Sequence, residues 1–155
     1  MDCDILCLQE HWLHGYEMNR LTQLFPQWNH NSVTYDSTQT IDDTVFTHHR
    51  SGRGGVATLW KGWLDTFAER IQKDSTDRIV VTTFRIPSRP LCIINCYLSS
   101  GRTSTCAITA FMEDMDRIDE LIHKYSGAFE IILVRDLNAS LSSPSDKGKT
   151  PKGPD

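Results

Sequence analysis

Long hydrophobic runs are missing from this chain, and none approaches the roughly 18 consecutive apolar residues that indicate a transmembrane helix. The opening segment, Met1-Asp2-Cys3-Asp4, lacks the basic residues that begin a secretory signal peptide. A positive charge balance is absent too, since the net charge is -4 and the pI is near 5.8. A nucleic-acid partner would therefore need a local basic patch or a bound cation. These absences predict an intracellular protein, in the nucleus or the cytoplasm, with no membrane partner.

Zinc-ligand spacing is likewise absent. The five cysteines are an odd number and lie mostly in apolar runs, which favours free thiols packed as small hydrophobic side chains in a reducing compartment. Cys3 and Cys7 stand four residues apart in a predicted strand, as do Cys92 and Cys96, so each pair is separated by roughly 13 Å. A single zinc ion, with Zn–S bonds of about 2.3 Å, cannot be held by either pair.

What is present is the composition of a folded domain. Of the 155 residues, 39% are hydrophobic and 23% are charged, and aromatic residues are spread along the chain. From Ser140 onward the sequence contains almost no apolar residues. We therefore expect one domain over residues 1–141 and a disordered tail over residues 142–155.

Short runs of apolar or β-branched residues predict a set of strands. The predicted strands cover residues 4–9, 32–36, 44–48, 54–60, 64–71, 78–86, 91–97 and 129–134. Short polar turns separate the three strands between residues 54 and 86, which indicates an antiparallel meander.

Two helices are predicted among these strands. The first is a short surface helix over residues 15–25, closed by Pro26. The second is long, begins at Thr103 or Ser104 and carries one apolar stripe. The stripe consists of Ile108, Phe111, Met112, Met115, Ile118, Leu121, Ile122 and Tyr125. Strands interspersed with helices indicate an α/β or α+β fold in which helices cover mixed sheets.

Three of the predicted core strands end in polar residues, namely Gln9-Glu10, Asn95 with Tyr97, and Asp136 with Asn138. If these strands are neighbours, their polar ends meet at one site. Asp136 and Asn138 are two residues apart, so extended backbone points both to one face. Mg²⁺ binds one or two carboxylates and several waters, and Glu10 with Asp136 would supply them. The simpler alternative is that these are ordinary turn residues and solvated carboxylates.

Four motifs follow one another along the chain in a fixed order. They are Asp4-Ile5-Leu6-Cys7-Leu8-Gln9-Glu10, Gly54-Gly55-Val56-Ala57, Ile94-Asn95-Cys96-Tyr97 and Arg135-Asp136-Leu137-Asn138-Ala139. In this order they resemble the endonuclease/exonuclease/phosphatase family, and within it the endonuclease domain of non-LTR retrotransposons, truncated at both ends. The resemblance implies a four-layered sandwich of two mixed β-sheets flanked by helices, incomplete at both ends, with a divalent-metal site at one edge.

The resemblance also implies roles for the polar strand ends. Glu10 corresponds to the ligand of Mg²⁺, with Mn²⁺ as the alternative ion, and no other cofactor is implied. Asp136 and Asn138 correspond to residues that position the attacking water, and Asn138 and Tyr97 to residues that contact the scissile phosphate. A structural alternative stays open for Tyr97, as a strand-end aromatic residue with its hydroxyl in solvent, and for Asn95, as a strand-end hydrogen bonder.

The chain departs from the family pattern at several positions. Where the family has Gly before Asp-x-Asn this chain has Arg135, which we expect to add bulk and positive charge beside the cation. Where the family has Pro two residues after the tyrosine this chain has Ser99. The family's first strand with an active-site Asn, and its last segments with Asp and Asp-His, have no counterpart. Of the six histidines, His11 is the one that adjoins a predicted site residue, Glu10.

Two classes of function follow from these patterns. The leading one is a Mg²⁺-dependent phosphodiester hydrolase of the DNA-endonuclease type, derived from a mobile element, and the same fold acting on RNA, inositol phosphate or phospholipid phosphodiesters is an alternative within it. The second class is a non-catalytic fragment or binding module, which Arg135 and the segments without counterpart favour. Stabilisation by Mg²⁺ separates the two classes, because only a formed site gains stability from the ion. No pattern indicates an oligomeric state.

Overall fold

The computed structural model describes residues 3–34, 54–98 and 105–136, and within these ranges the chain forms two β-sheets with two α-helices. The strands are β1 (Ile5–Gln9), β2 (Trp28–Val33), β3 (Val56–Lys61), β4 (Ala68–Arg70), β5 (Ile79–Phe84), β6 (Leu91–Tyr97) and β7 (Glu130–Asp136). The helices are α1 (Asn19–Leu24) and α2 (Thr105–Tyr125), and 3₁₀ turns occupy Gly15–Glu17, Gly62–Phe67 and Gln72–Asp74. In these ranges no helix is both long and apolar enough to cross a membrane.

The first sheet has the order β1-β3-β2, with β3 antiparallel to both neighbours. The predicted meander is therefore wrong, because β3 belongs to a different sheet from β4 and β5. The strand predicted over residues 64–71 is also wrong over most of its length, where the 3₁₀ turn Gly62–Phe67 stands instead. Leu64 and Phe67, three residues apart, share one side of this turn and both pack in the core between the sheets.

The second sheet has the order β4-β5-β6-β7 and is mixed, as the resemblance implies. In this sheet β5 is antiparallel to both β4 and β6, and β6 and β7 are parallel. A parallel connection needs a crossover, which here contains α2. The carboxyl ends of β6 and β7 consequently lie at the same edge of the sheet.

The two sheets pack face to face. Trp60 of β3 is fully buried between them, and its ring meets that of Phe84 of β5 edge-on, with centroids 5.6 Å apart. Ile93 of β6 joins the same inter-sheet core. Because strand side chains alternate between faces, residues adjacent to these point outward.

Helices cover the outer faces of both sheets. Leu59, next to Trp60, points away from the inter-sheet core and packs against Leu21 of α1. On the second sheet, Ile94 of β6 packs under Leu121 of α2. The layers are helix, sheet, sheet and helix, which confirms the predicted four-layered sandwich for the part of the chain that the structure describes.

Of the other predicted elements, most are present, one is shifted along the chain, and some lie outside the described residues. The strands predicted over 4–9, 54–60, 78–86, 91–97 and 129–134 are present within two residues or so at their ends, and the helix predicted over 15–25 is a 3₁₀ turn followed by α1. The strand predicted to begin at Ser32 begins earlier, at Trp28, and ends at Val33. The predicted strand 44–48, the start of the long helix and the tail 142–155 lie outside the described residues.

The apolar stripe of α2 is narrower than predicted. Ile108 and Met112 are exposed, at 53% and 57%, whereas Ile118 and Leu121 are buried against the second sheet. Met112 lies roughly 120° around the helix from Ile118, which places it beside the contact face rather than on it. Helical spacing alone does not distinguish the centre of such a stripe from its margin.

Candidate active site

The carboxyl end of β1 is tied to β6 by a buried amide pair. Nε2 of Gln9 donates to Oδ1 of Asn95 over 2.6 Å, and Nδ2 of Asn95 donates to the carbonyl of Ala57 over 3.0 Å. Asn95 is fully buried, so both ends of its amide are used within the protein. These hydrogen bonds agree with the interpretation of Asn95 as a strand-end hydrogen bonder. Its effect is to bring the end of the first sheet against the end of the second.

Tyr97 of β6 and Asp136 of β7 are register partners in the parallel pair. Partners in register point to the same face of a sheet, here the face toward the first sheet, because Val134 in the same alternation packs in the inter-sheet core. Tyr97 is half-buried and Asp136 is exposed. The two strand ends meet as the sequence pattern predicts, while Asn138 lies outside the described residues.

Glu10 follows the last residue of β1 and is exposed at this edge. Its backbone φ is +52°, and that of Trp12 is +58°, both in the left-handed region that non-glycine residues adopt rarely. Each such conformation costs about 1 to 3 kcal/mol and persists only where the surroundings enforce it. Both exposed side chains are therefore held at the edge by a backbone that the fold constrains.

His11, between these two residues, is turned into the protein. Its Nε2 is 3.1 Å from the carbonyl of Val33, and its Nδ1 accepts the amide N–H of Leu13 over 3.2 Å, so the ring is a neutral tautomer that carries its proton on Nε2. A Cβ added at Gly55 would lie 2.3 Å from the ring. The His11 ring therefore fills the space that Gly55 leaves open, which gives this residue a structural role.

Gly54 connects the loop after β1 with the tyrosine. Its carbonyl accepts the amide N–H of Trp12 over 3.0 Å, and a Cβ added to it would lie 3.8 Å from Cδ1 of Tyr97. Gly54 and Gly55 have φ values of +58° and +84°, and lead directly into β3. The sequence predicts a strand entered through these glycines, and their positive φ values show that the chain also turns closely beside the site here.

Arg135 does not lie on the face that carries Asp136. Neighbouring strand residues point to opposite faces, and the register partner of Arg135 is Cys96, which packs on the α2 side of the sheet. Burial raises the pKa of the Cys96 thiol to about 11, and the positive charge of Arg135 acts in the opposite direction by lowering that pKa. Strand alternation therefore directs the bulk of Arg135 to the face opposite to Asp136.

The oxygen ligands at this edge suit a divalent cation in their chemistry. Glu10 and Asp136 offer hard carboxylate oxygens at the ends of strands that meet. In residues 3–34, 54–98 and 105–136 no three His, Cys, Asp or Glu side chains are clustered to hold a metal. Two carboxylates with open access to water match the way Mg²⁺ is bound, since it keeps several waters and rarely uses an all-protein cage.

Comparison with known proteins relates the chain to one family. No curated protein sequence matches it significantly. Its fold is similar to the human Nocturnin catalytic domain with bound sulfate anion, at a TM-score of 0.54 and 18% identity, over 90% of this chain and 52% of that one. The chain thus spans about half the length of that domain. Over residues 1–148 it matches the model of the Endonuclease/Exonuclease/phosphatase family, and the chain belongs to that family.

Proposed function

We propose that this chain is a Mg²⁺-dependent phosphodiester hydrolase that acts on nucleic acid at the edge where β1, β6 and β7 end. The observation that supports it most is the register pairing of Tyr97 with Asp136, next to the end of β1 that bears Glu10. Membership of a family of nucleases and phosphatases supports a phosphoester substrate. The tetrahedral sulfate bound by the Nocturnin domain has the shape and charge of a phosphate group, which agrees with this substrate class.

Each residue at the edge has a distinct task in this proposal. Glu10 would hold a divalent ion, and the chemistry that the ion would supply there is neutralisation of charge on the phosphodiester and orientation of a water. Asp136 accepts hydrogen bonds from the attacking water and directs it toward phosphorus, and Asn138 is proposed to share this task. Tyr97 donates its hydroxyl to a non-bridging phosphate oxygen, which favours the more negative transition state. Mn²⁺ is expected to replace Mg²⁺, because both accept oxygen ligands.

DNA is the proposed substrate, and the motif order supports an origin in a mobile element of the non-LTR type. RNA, inositol phosphates and phospholipids remain outcomes of the test, because substrate choice in one fold is made by loops. Within the described ranges Cys3, Cys7, Cys92 and Cys96 are free thiols, which supports the proposed reducing, intracellular location. The non-catalytic alternative was based on Arg135 and on the family segments without counterpart. The orientation of Arg135 away from the Asp136 face weakens the first of these two arguments.

The decisive experiment is nicking of supercoiled plasmid by the purified chain in Mg²⁺ and in EDTA. Glu10→Gln and Asp136→Asn remove charge at the edge, and Glu130→Gln is the matched control, since it changes an exposed carboxylate at the other end of β7. We expect nicking that requires Mg²⁺, is lost by at least 100-fold in the first two variants, and is retained in the control. Equal residual nicking in all variants, or none in the parent, would contradict the proposal for DNA.

A second measurement separates loss of chemistry from loss of the ion. Mg²⁺ in excess raises the melting temperature of a protein that binds it in its folded state. We expect this shift in the parent and in Glu130→Gln, and a smaller shift in Glu10→Gln. Parallel assays on single-stranded RNA, an inositol phosphate and a phospholipid identify the substrate class if DNA is not cleaved.

A further inference from the structure

Trp12 is an exposed tryptophan with an unusual backbone. Its side chain is 52% exposed, whereas Trp60 is fully buried and Trp28 packs beneath α1. A bulky residue at a φ of +58° is a genuine outlier, so the position is not an ordinary surface loop. Large exposed aromatic side chains held in place by the fold are common where a flat ligand stacks.

The surroundings of Trp12 keep this indole on the surface. The amide N–H groups of His11 and Trp12 bind the carbonyls of Gly55 and Gly54, over 3.4 and 3.0 Å. The His11 ring is anchored inward against Gly55. Because His11 takes the inward position, Glu10 and Trp12 on either side of it are left exposed. The same constrained loop thus presents the proposed metal ligand and an aromatic surface two residues away.

Trp12 also adjoins the proposed phosphate site through Gly54. The carbonyl of Gly54 binds the Trp12 amide, and the Tyr97 ring lies about 4 Å from the Cβ position of the same glycine. Gly54 thus lies between the backbone of Trp12 and the ring of Tyr97. One sugar joins the base of a nucleotide to its phosphate, so a phosphate at Tyr97 would bring a base toward the Trp12 loop.

We propose that Trp12 stacks on an unpaired nucleobase next to the scissile phosphate, so that the site takes single-stranded or locally opened nucleic acid. This inference rests on the proposed function and names the form of its substrate. Every base offers a π face, so stacking of this kind is tolerant of sequence. A base inside an intact duplex is covered on both faces by its neighbours, and neither inositol phosphate nor a phospholipid headgroup offers an aromatic face.

Trp63 provides a matched control within the chain. It is 58% exposed, close to the value for Trp12. It lies beyond the amino end of β1, where its side chain hydrogen-bonds Asp4, so the length of β1 separates it from the proposed site. The aromatic pair of His14 and Tyr16 is less informative, because these two rings already stack on each other at 5.1 Å.

The test compares binding of two single strands of equal length, a thymidine oligonucleotide and an abasic strand with the same phosphates. Binding is measured in Ca²⁺, with the full chain and with Trp12→Ala, Trp12→Phe and Trp63→Ala. Stacking on one base is worth roughly 5- to 150-fold in affinity. We expect Trp12→Ala to bind the thymidine strand more weakly by that factor and to bind the abasic strand with almost the affinity of the parent. Trp12→Phe should recover most of the affinity, and Trp63→Ala should behave as the parent does.

Melting curves of each variant show whether the folded fraction is preserved, and Trp12→Phe keeps the test valid if alanine destabilises the loop. Equal weakening for both strands, or parent-like affinity in Trp12→Ala, overturns the stacking proposal even if the parent cleaves nucleic acid. Failure of the parent to bind or cleave any nucleic acid overturns the proposed function and the stacking together. The two failures are therefore distinguishable in one set of assays.

Discussion

Lys124, near the end of α2, donates to both carboxylate oxygens of Asp74, over 2.6 and 2.9 Å. The Asp74 side chain is only 7% exposed, and Arg117 and the Tyr125 hydroxyl bind the same carboxylate. One buried carboxylate thus joins the loop before β5 to the last turns of α2. Burial by itself would raise the pKa of Asp74, but the hydrogen bonds and charges of these partners hold it below the usual value.

Replacement of Asp74 by Asn should remove about 1 to 3 kcal/mol from the free energy of unfolding at pH 7, because its partners lose their charged acceptor. The folded pKa lies below the unfolded value, so the contribution of Asp74 is present above about pH 4 and is lost as the pH falls through the folded pKa. Urea denaturation at pH 7 and at several values below pH 4 measures both effects. Asp119→Asn, at an exposed position of α2, is the control; an equal loss there would contradict the assignment.

Gly55→Ala should destabilise the chain by about 2 to 5 kcal/mol. An alanine there would adopt a φ of +84°, and its Cβ would lie 2.3 Å from the His11 ring, so backbone strain and a clash add together. Thermal or urea unfolding measures the loss, and Gly127→Ala is the control, since nothing lies within 4 Å of its Cβ position. In the double variant Gly55→Ala with His11→Ala, the clash is removed and the backbone strain at φ +84° remains. This variant should therefore recover the stability lost to the clash but not the stability lost to the strain.

Asn95→Ala should cost about 2 to 4 kcal/mol, because the Gln9 amide and the Ala57 carbonyl lose their buried partner. Asn19→Ala at the exposed start of α1 should stay within about 0.5 kcal/mol of the parent. Denaturant titration at constant pH compares the two. A loss at Asn95 no larger than at Asn19 would show that the amide does not hold the sheets together.

Three thiols should resist alkylation in the native protein. Burial raises the pKa of Cys7 and Cys96 to about 11 and of Cys92 to about 12, so at pH 8 no more than about one molecule in a thousand carries a thiolate at each. We expect iodoacetamide to label these residues in urea and to leave them unmodified in buffer, as peptide mass mapping would show. Native labelling at the rate seen in urea would contradict the buried positions.

Much of the fold could be predicted from local pattern, and its errors have physical causes. Short apolar runs located the strands, and the polar ends of β6 and β7 located the meeting of Tyr97 with Asp136. The partner of β3 could not be predicted, because alternation of side chains says which residues are buried and not which strand lies alongside. The turn over Gly62–Phe67 was read as a strand because a spacing of three and a spacing of two are hard to separate over six residues.

Part of the candidate site could also be predicted from the sequence, and part could not. Glu10, Tyr97 and Asp136 were predicted because strand ends and family motifs both mark them. The exposure of Trp12 could not be predicted, since its left-handed backbone is held by the carbonyl of Gly54, which comes from a distant part of the sequence. The opposite faces of Arg135 and Asp136 follow from strand alternation alone, and this signal was available in the sequence.

The parallel pairing of β6 with β7 has a consequence for how the edge assembles during folding. Tyr97 and Asp136 become neighbours only after the intervening chain has closed a long loop, a step whose entropy is offset by docking of α2 on the second sheet. Formation of the site therefore depends on a helix that contributes none of the proposed catalytic residues. Substitutions at Ile118 or Leu121 are expected to weaken the edge from a distance, by loosening the segment that brings its two strands into register.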